Sequence, residues 1–270
     1  MIDTAVNGET TMLHIIENLL DTAQLSQLTS ILTHQHAQWQ DGKLTAGISA
    51  QQQKNNWQLS RQDPSYQAMA NLCLEALQQH PVFMSAALPK VIMPPLFSAY
   101  QLGQGYGMHV DNALQTHPDS KQLMRTDLSL TLFLNNPADY EGGELVISDE
   151  YGEHSIKLSA GDAVLYPSTS LHRVNTVTSG QRLAMVTWVQ SLVRSDEQRQ
   201  ILHDLDVSHI LLRQKLLATS DQAQSTQAQS TQAQCGQLSE QHSTDQQLTH
   251  QAIEKLNQSY HNLLRLWAES

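Results

Sequence analysis

Two cysteines in 270 residues, Cys73 and Cys235, stand far apart and in dissimilar contexts, so no disulfide framework supports this chain and a reducing compartment is expected. Long apolar runs are absent too. No stretch reaches the roughly 18 consecutive apolar residues that a membrane helix needs. The start, MIDTAVNGETTMLHII, lacks both a basic opening and a continuous apolar segment, which argues against a secretory leader. Positive charge is scarce: 15 Lys and Arg against 26 Asp and Glu leave a net charge of −11, a poor match for nucleic acid or an anionic membrane surface. A cytoplasmic protein with neither of those partners is the expectation.

Against these absences, helix, strand and helix patterns follow in turn. Residues 1–11 are polar and patternless and read as an extension, with Met12 as an alternative start. LHIIENLL (13–20) suggests a short strand. Asp21 then stands at an N-cap position before a helix with Leu25, Leu28 and Leu32 at helical spacing. A second helix is expected over 64–80, opened by Pro64 and carrying Tyr66, Met69, Leu72, Cys73, Ala76 and Leu77 on one stripe. Residues 12–87 thus form a helical and strand support.

From 88 to 193 the texture changes to short strands separated by glycine-bearing turns, which points to an antiparallel sandwich or jelly roll. In DLSLTLFL (127–134), Leu128, Leu130, Leu132 and Leu134 alternate onto one face. Residues 194–270 return to helical character, interrupted by QAQSTQAQSTQAQ (222–234). That tract has no apolar face to offset chain entropy and reads as a flexible insert. The class is therefore mainly β with flanking helices.

Thirteen histidines demand a geometric test of each. His34 and His36 are two apart in a helix and share no face; His203 and His209 have poor ligand spacing; His117 and His154 lack a partner. YGMHVDNAL is different. In an extended segment His109 and Asp111 point to one side while Met108 and Val110 point to the other. His172, in YPSTSLHRVNTV, follows a strand of the same β-rich block. Two imidazoles and a carboxylate can occupy one face of an octahedral metal and leave open positions, as in non-haem iron oxygenases. No fourth ligand suggests a closed structural zinc site. Arg182 heads the apolar strand RLAMVTWVQ; if it turns inward, it needs an anion. A planar guanidinium suits a carboxylate. Arg173 competes for that role but neighbours His172 and should face away from it.

These segments, together with TAG…KNN (45–56), LFSAYQLGQGYGMHVDNAL, YEGGELVI, LSAGDAVLYPSTSLHRV and YHNLLRLW, resemble the bacterial PKHD-type hydroxylases. These are relatives of the prolyl and lysyl hydroxylase catalytic domain. The resemblance spans nearly everything from Met12 onward. It implies a double-stranded β-helix core of the jelly-roll or cupin type, with His109, Asp111 and His172 as Fe(II) ligands and Arg182 holding 2-oxoglutarate. It further implies O2 as oxidant, succinate and carbon dioxide as products, and L-ascorbate as reductant. Where many superfamily members have Arg-x-Ser, this chain has Arg182-Leu183-Ala184, so another hydroxyl must help hold the carboxylate, and Tyr100 is the expected donor. The hydroxylated substrate, a small molecule or a peptidyl side chain, is left open, with Lys121 and Arg125 in the 112–126 loop as possible anion contacts. A non-catalytic iron or 2-oxoglutarate sensor and a cupin-like metalloenzyme independent of 2-oxoglutarate are the other readings.

Overall fold

The computed structural model describes residues 13–45, 47, 51–149, 151–227 and 235–269, and side chains outside 219–246. The 1–11 extension lies outside the described residues. In chain order the strands are β1 His14–Ile16, β2 Trp39–Asp41, β3 Lys54–Asn55, β4 Trp57–Leu59, β5 Pro89–Ile92, β6 Leu96–Tyr100, β7 Gly105–His109, β8 Leu114–Thr116 and β9 Leu123–Arg125. They continue with β10 Leu128–Phe133, β11 Tyr140–Gly142, β12 Leu145–Asp149, β13 Gly152–Ile156, β14 Ala163–Pro167, β15 Leu171–Val174, β16 Val177–Gly180 and β17 Arg182–Ser191. The helices are α1 Thr22–Leu32, α2 Tyr66–Gln79, α3 Pro81–Ala87, α4 Asp196–Gln227 and α5 Cys235–Trp267.

Every pairing is antiparallel. A major sheet runs β1-β14-β10-β17-β6-β4-β2, with β5 added beside β17, and a smaller sheet runs β13-β12-β15-β7-β3. Between the two sheets lies a core that includes Tyr100, Phe133, Leu145, Ile147, Val164, Tyr166 and Val174. This is the jelly-roll core expected from the strand density. The other face of the major sheet carries Leu128, Leu130, Leu132 and Leu134, buried with Leu28, Met69, Cys73, Leu77 and Phe83 of the helices. The alternation in DLSLTLFL is therefore real on both sides: leucines meet helices, while Ser129, Thr131 and Phe133 face inward.

Local chemistry sets the helix bounds. Asp21 caps α1 by accepting from the Gln24 backbone N–H at 2.8 Å, while Gln24 Oε1 accepts from the Asp21 N–H at 3.0 Å. The second helix begins at Tyr66 rather than Pro64, because Asp63 Oδ1 first accepts the Ser65 N–H at 2.9 Å in a preceding turn. The 13–20 strand is shorter than its apolar run suggests: β1 stops at Ile16, and Asn18 takes a positive φ of 53° that turns the chain.

Contact density divides the chain after Ser191. In the unit from Leu192 onward, α4 and α5 pack together and bury Leu202 and Ile253. The Arg199 guanidinium donates to the Val193 and Arg194 carbonyls at 2.8 and 2.9 Å, tying the start of α4 to the chain before it. Residues 222–227 of the glutamine-rich tract are helical, as the end of α4, rather than the start of a linker; 228–234 lie outside the described residues. Gln and Ala propagate a helix well without an apolar stripe. No helix among the described residues is long and apolar enough to cross a membrane.

Candidate metal and co-substrate site

Strand pairing brings the separated motifs together. Adjacent antiparallel strands β7 and β15 set His109 directly opposite His172. Residues so paired share a face, and the two ring centroids are 4.2 Å apart. β7 ends at His109, so Asp111 lies just past the strand. Its carboxylate still returns to the same side, with Oδ1 3.9 Å from His109 Nε2 and Oδ2 3.8 Å from His172 Nε2. One ligand atom from each residue falls within 4.8 Å of the others. The imidazoles are only 7 % and 6 % exposed.

Hydrogen bonds define the tautomers. His109 Nδ1 lies 2.8 Å from the Gly107 carbonyl and His172 Nδ1 lies 3.0 Å from the Ser170 carbonyl. A carbonyl accepts only, so each Nδ1 must carry the proton and each Nε2 presents a lone pair. Burial, then the neighbouring His172, pulls the His109 pKa down to about 4, so its ring is neutral at neutral pH. Both Nε2 atoms and the Asp111 carboxylate converge on one point of the cleft. The donor set therefore fits a divalent metal with open positions.

The surrounding shell fixes these groups. Asp111 Oδ2 accepts from Ser129 Oγ at 2.6 Å, and Ser129 Oγ lies 2.7 Å from Ser168 Oγ. Tyr106 stacks on His109 with centroids 3.6 Å apart, and Tyr166 meets His172 edge-on at 5.3 Å. None of Ser129, Ser168, Tyr106 and Tyr166 was singled out from the sequence. Ser129 had a signal, since with Thr131 it interrupts the apolar run of β10.

Arg182 does turn inward. It is 1 % exposed, and its Nε and Nη2 have no hydrogen-bond partner. Its guanidinium carbon lies 5.1 Å from the Tyr100 ring and 5.5 Å from the Phe133 ring. The Arg182↔Tyr100 register puts the two side by side. The Tyr140 hydroxyl is likewise buried and stands against the Arg182 guanidinium, whose charge and hydrogen bond oppose the upward push of burial on its pKa. Gly143 leaves room for the arginine stem: its φ is +67°, and a Cβ there would stand 3.2 Å from Arg182 Cδ and 3.0 Å from the Tyr140 ring. A buried guanidinium with unpaired donors is costly unless an anion completes it.

The triad, Tyr100 and Arg182 line one open cleft of about 830 Å³, counting its mouth. Other candidates fall elsewhere. Arg173 pairs with Glu153 at 2.5 and 2.8 Å, outside the cleft. Arg125 is held by Asp127 at 3.1 Å and Lys121 is exposed; neither lines the cleft, whereas Asn112 and Gln115 of the same loop do. His34 and His36 are exposed, and His154 bonds Asp149 at 2.8 Å.

Known proteins resemble this chain in sequence. The 2OG-Fe(II) oxygenase superfamily matches residues 95–190, and the PKHD-type hydroxylase C-terminal domain matches residues 239–269. A PKHD-type hydroxylase of Saccharophagus degradans is 44 % identical, covering 96 % of this chain and all of that protein. Another, from Acinetobacter baumannii, is 40 % identical over the same shares. A crystal structure of a Pseudomonas putida prolyl-4-hydroxylase is 21 % identical, covers 67 % of this chain and 94 % of its own, and superposes with a TM-score of 0.47. Full-length identity at this level, over a cleft whose donors fit a divalent metal, makes the chain a member of the PKHD-type hydroxylases and a 2-oxoglutarate-dependent Fe(II) dioxygenase.

Proposed function

We propose that His109, Asp111 and His172 hold the iron and that Arg182, with Tyr100 beside it, binds the distal carboxylate of 2-oxoglutarate. The observation that carries the reading is the Arg182 guanidinium, buried with two groups unpaired in the cleft that the triad also lines. When bound, the iron supplies dioxygen activation coupled to decarboxylation of 2-oxoglutarate, giving succinate, carbon dioxide and a hydroxylated substrate.

The chain's own part is orientation and exclusion. The two Nδ1–H bonds keep both Nε2 lone pairs directed at the metal position, and Ser129 holds Asp111 in place. Arg182 sets the distance of the co-substrate from the triad by gripping its far end. Leu145, Val174 and Val186 in the lining keep water from the reacting centre. The hydroxyl that Ala184 cannot provide comes from Tyr100, and the Tyr140 hydroxyl stands against the same guanidinium. Ascorbate is the reductant that keeps the iron ferrous between turnovers, and the cytoplasm is the compartment, as a chain with only two cysteines, far apart in sequence, suits. The substrate is a small molecule or a peptidyl side chain.

Anaerobic titration of 2-oxoglutarate into the Fe(II)-loaded protein tests the assignment through the weak visible band that keto-acid chelation produces. Arg182→Ala is expected to keep iron but to lose roughly 2–4 kcal/mol of co-substrate binding, about 30- to 1000-fold in affinity. Arg182→Lys should fall between, keeping charge without the planar fork. Parent-like titration of Arg182→Ala would remove this arginine from the site.

A further inference from the structure

A second buried cation lines the same cleft from the opposite side. Lys54 is 6 % exposed and belongs to β3, in the chain before the superfamily match at 95–190. It pairs across the sheet with Tyr106, its Nζ 5.2 Å from the centroid of the ring that stacks on His109. Arg182 approaches from the major sheet and Lys54 from the smaller one.

The ammonium is held by a hydroxyl rather than by an ion pair. It donates to Thr45 Oγ1 at 3.1 Å; that hydroxyl in turn donates to Gln58 Oε1 at 2.6 Å, and Gln58 Nε2 reaches Ser98 Oγ at 3.5 Å. Thr45 takes one of three N–H groups. Among the described residues no carboxylate comes within ion-pair distance of Nζ. Burial lowers the Lys54 pKa to about 8, against the opposing pull of Asp111 and Asp41, and a carboxylate brought to Nζ would hold the ammonium charged.

Charge matching then identifies what is missing. With iron and 2-oxoglutarate in place, Asp111 and the co-substrate's C1 carboxylate balance the divalent metal, and its C5 carboxylate balances Arg182. Lys54 is then left with no carboxylate at ion-pair distance among the described residues, Asp41 acting only from farther off, and a buried cation so placed is costly. We infer that Lys54 binds a carboxylate of the hydroxylated substrate, making it the specificity-determining residue of the cleft. The inference rests on the iron and 2-oxoglutarate assignments above. It selects small carboxylic acids over uncharged molecules and over side chains inside a peptide.

The test uses the full chain, anaerobic, with Fe(II) and saturating 2-oxoglutarate. A panel of N-acetyl amino acids and their primary amides is titrated by ligand-observed NMR. The acids are expected to bind at least about ten-fold more tightly than the matched amides, since a buried ion pair of this kind is worth that much or more. Lys54→Met, which keeps the stem, should erase the difference, and Lys54→Arg should retain most of it. Thermal unfolding of each variant confirms folding. Equal or undetectable binding of acids and amides by the parent overturns the inference, as does discrimination that survives in Lys54→Met. A separate 2-oxoglutarate titration keeps the two readings apart. If Lys54→Met loses 2-oxoglutarate instead, Lys54 belongs to the co-substrate subsite and the inference falls. If the parent itself gives no chelation band, the co-substrate assignment fails on its own.

Discussion

Leu130 and Ser129 are neighbours in β10, and they answer to different demands. Leu130 is 1 % exposed against the helical layer, among residues that any apolar side chain of similar volume could replace. Ser129 is 2 % exposed on the inner face, and its hydroxyl touches Asp111 and Ser168. The same contrast runs along β17, where Leu183 and Met185 meet the helices while Arg182 faces inward. One strand thus supplies stability from one face and chemistry from the other, and the pleat keeps the two insulated.

That insulation can be broken by experiment. The largest effect is expected from Leu130→Ala, which should cost about 2–5 kcal/mol in urea unfolding as a cavity opens under the helices. The folded fraction should titrate 2-oxoglutarate as the parent does; a weakened affinity would show that the faces are coupled. Ser129→Ala should behave in the opposite sense. Iron affinity should drop about 10- to 100-fold as Asp111 loses its anchor, with less loss of stability than in Leu130→Ala. Iron binding at the parent level would make the serine a packing residue only.

The smallest effect concerns a histidine of the outer layer. His80, between α2 and α3, has Nε2 3.2 Å from the Glu17 carbonyl and a buried Nδ1 without a partner. Burial lowers its pKa from the ordinary value, more than the Glu17 contact raises it. The folded state then refuses a proton that the unfolded chain accepts. The stabilisation is complete above the unfolded value of about 6.5 and is lost as pH falls toward the folded pKa. Denaturation at about pH 7.5 and about pH 5.5 should show a slightly larger acid loss for the parent than for His80→Gln. Identical losses would mean that the ring is solvated.

What was legible in the sequence follows the same division. The leucine alternation of β10, the capped α1 and the stripe of α2 are local patterns, and they appear where expected. His109, Asp111, His172 and Arg182 were legible because their residue types are chemically unusual beside apolar strands. Their convergence needed the β7–β15 and β17–β6 pairings, which no local pattern reports. Lys54 was invisible for the same reason: in QQQKNN it looks like one more solvated residue, and only the stacking of β3 on β7 buries it. The end of α4 misled in the other direction, since a tract without an apolar face can still extend a helix that is already nucleated.

The direct opposition of His109 and His172 also makes the centre a parity check on folding. The two strands are joined by no short turn, so nothing local enforces their alignment. A slip of one residue would rotate every side chain of the shifted strand to the far face and send one imidazole out of the cleft. Misaligned chains could still bury apolar surface, but they could not present three acceptors to one ion. With the triad as the proposed iron site, metal capture would discriminate between correctly and incorrectly threaded sheets and shift the population toward the former by mass action.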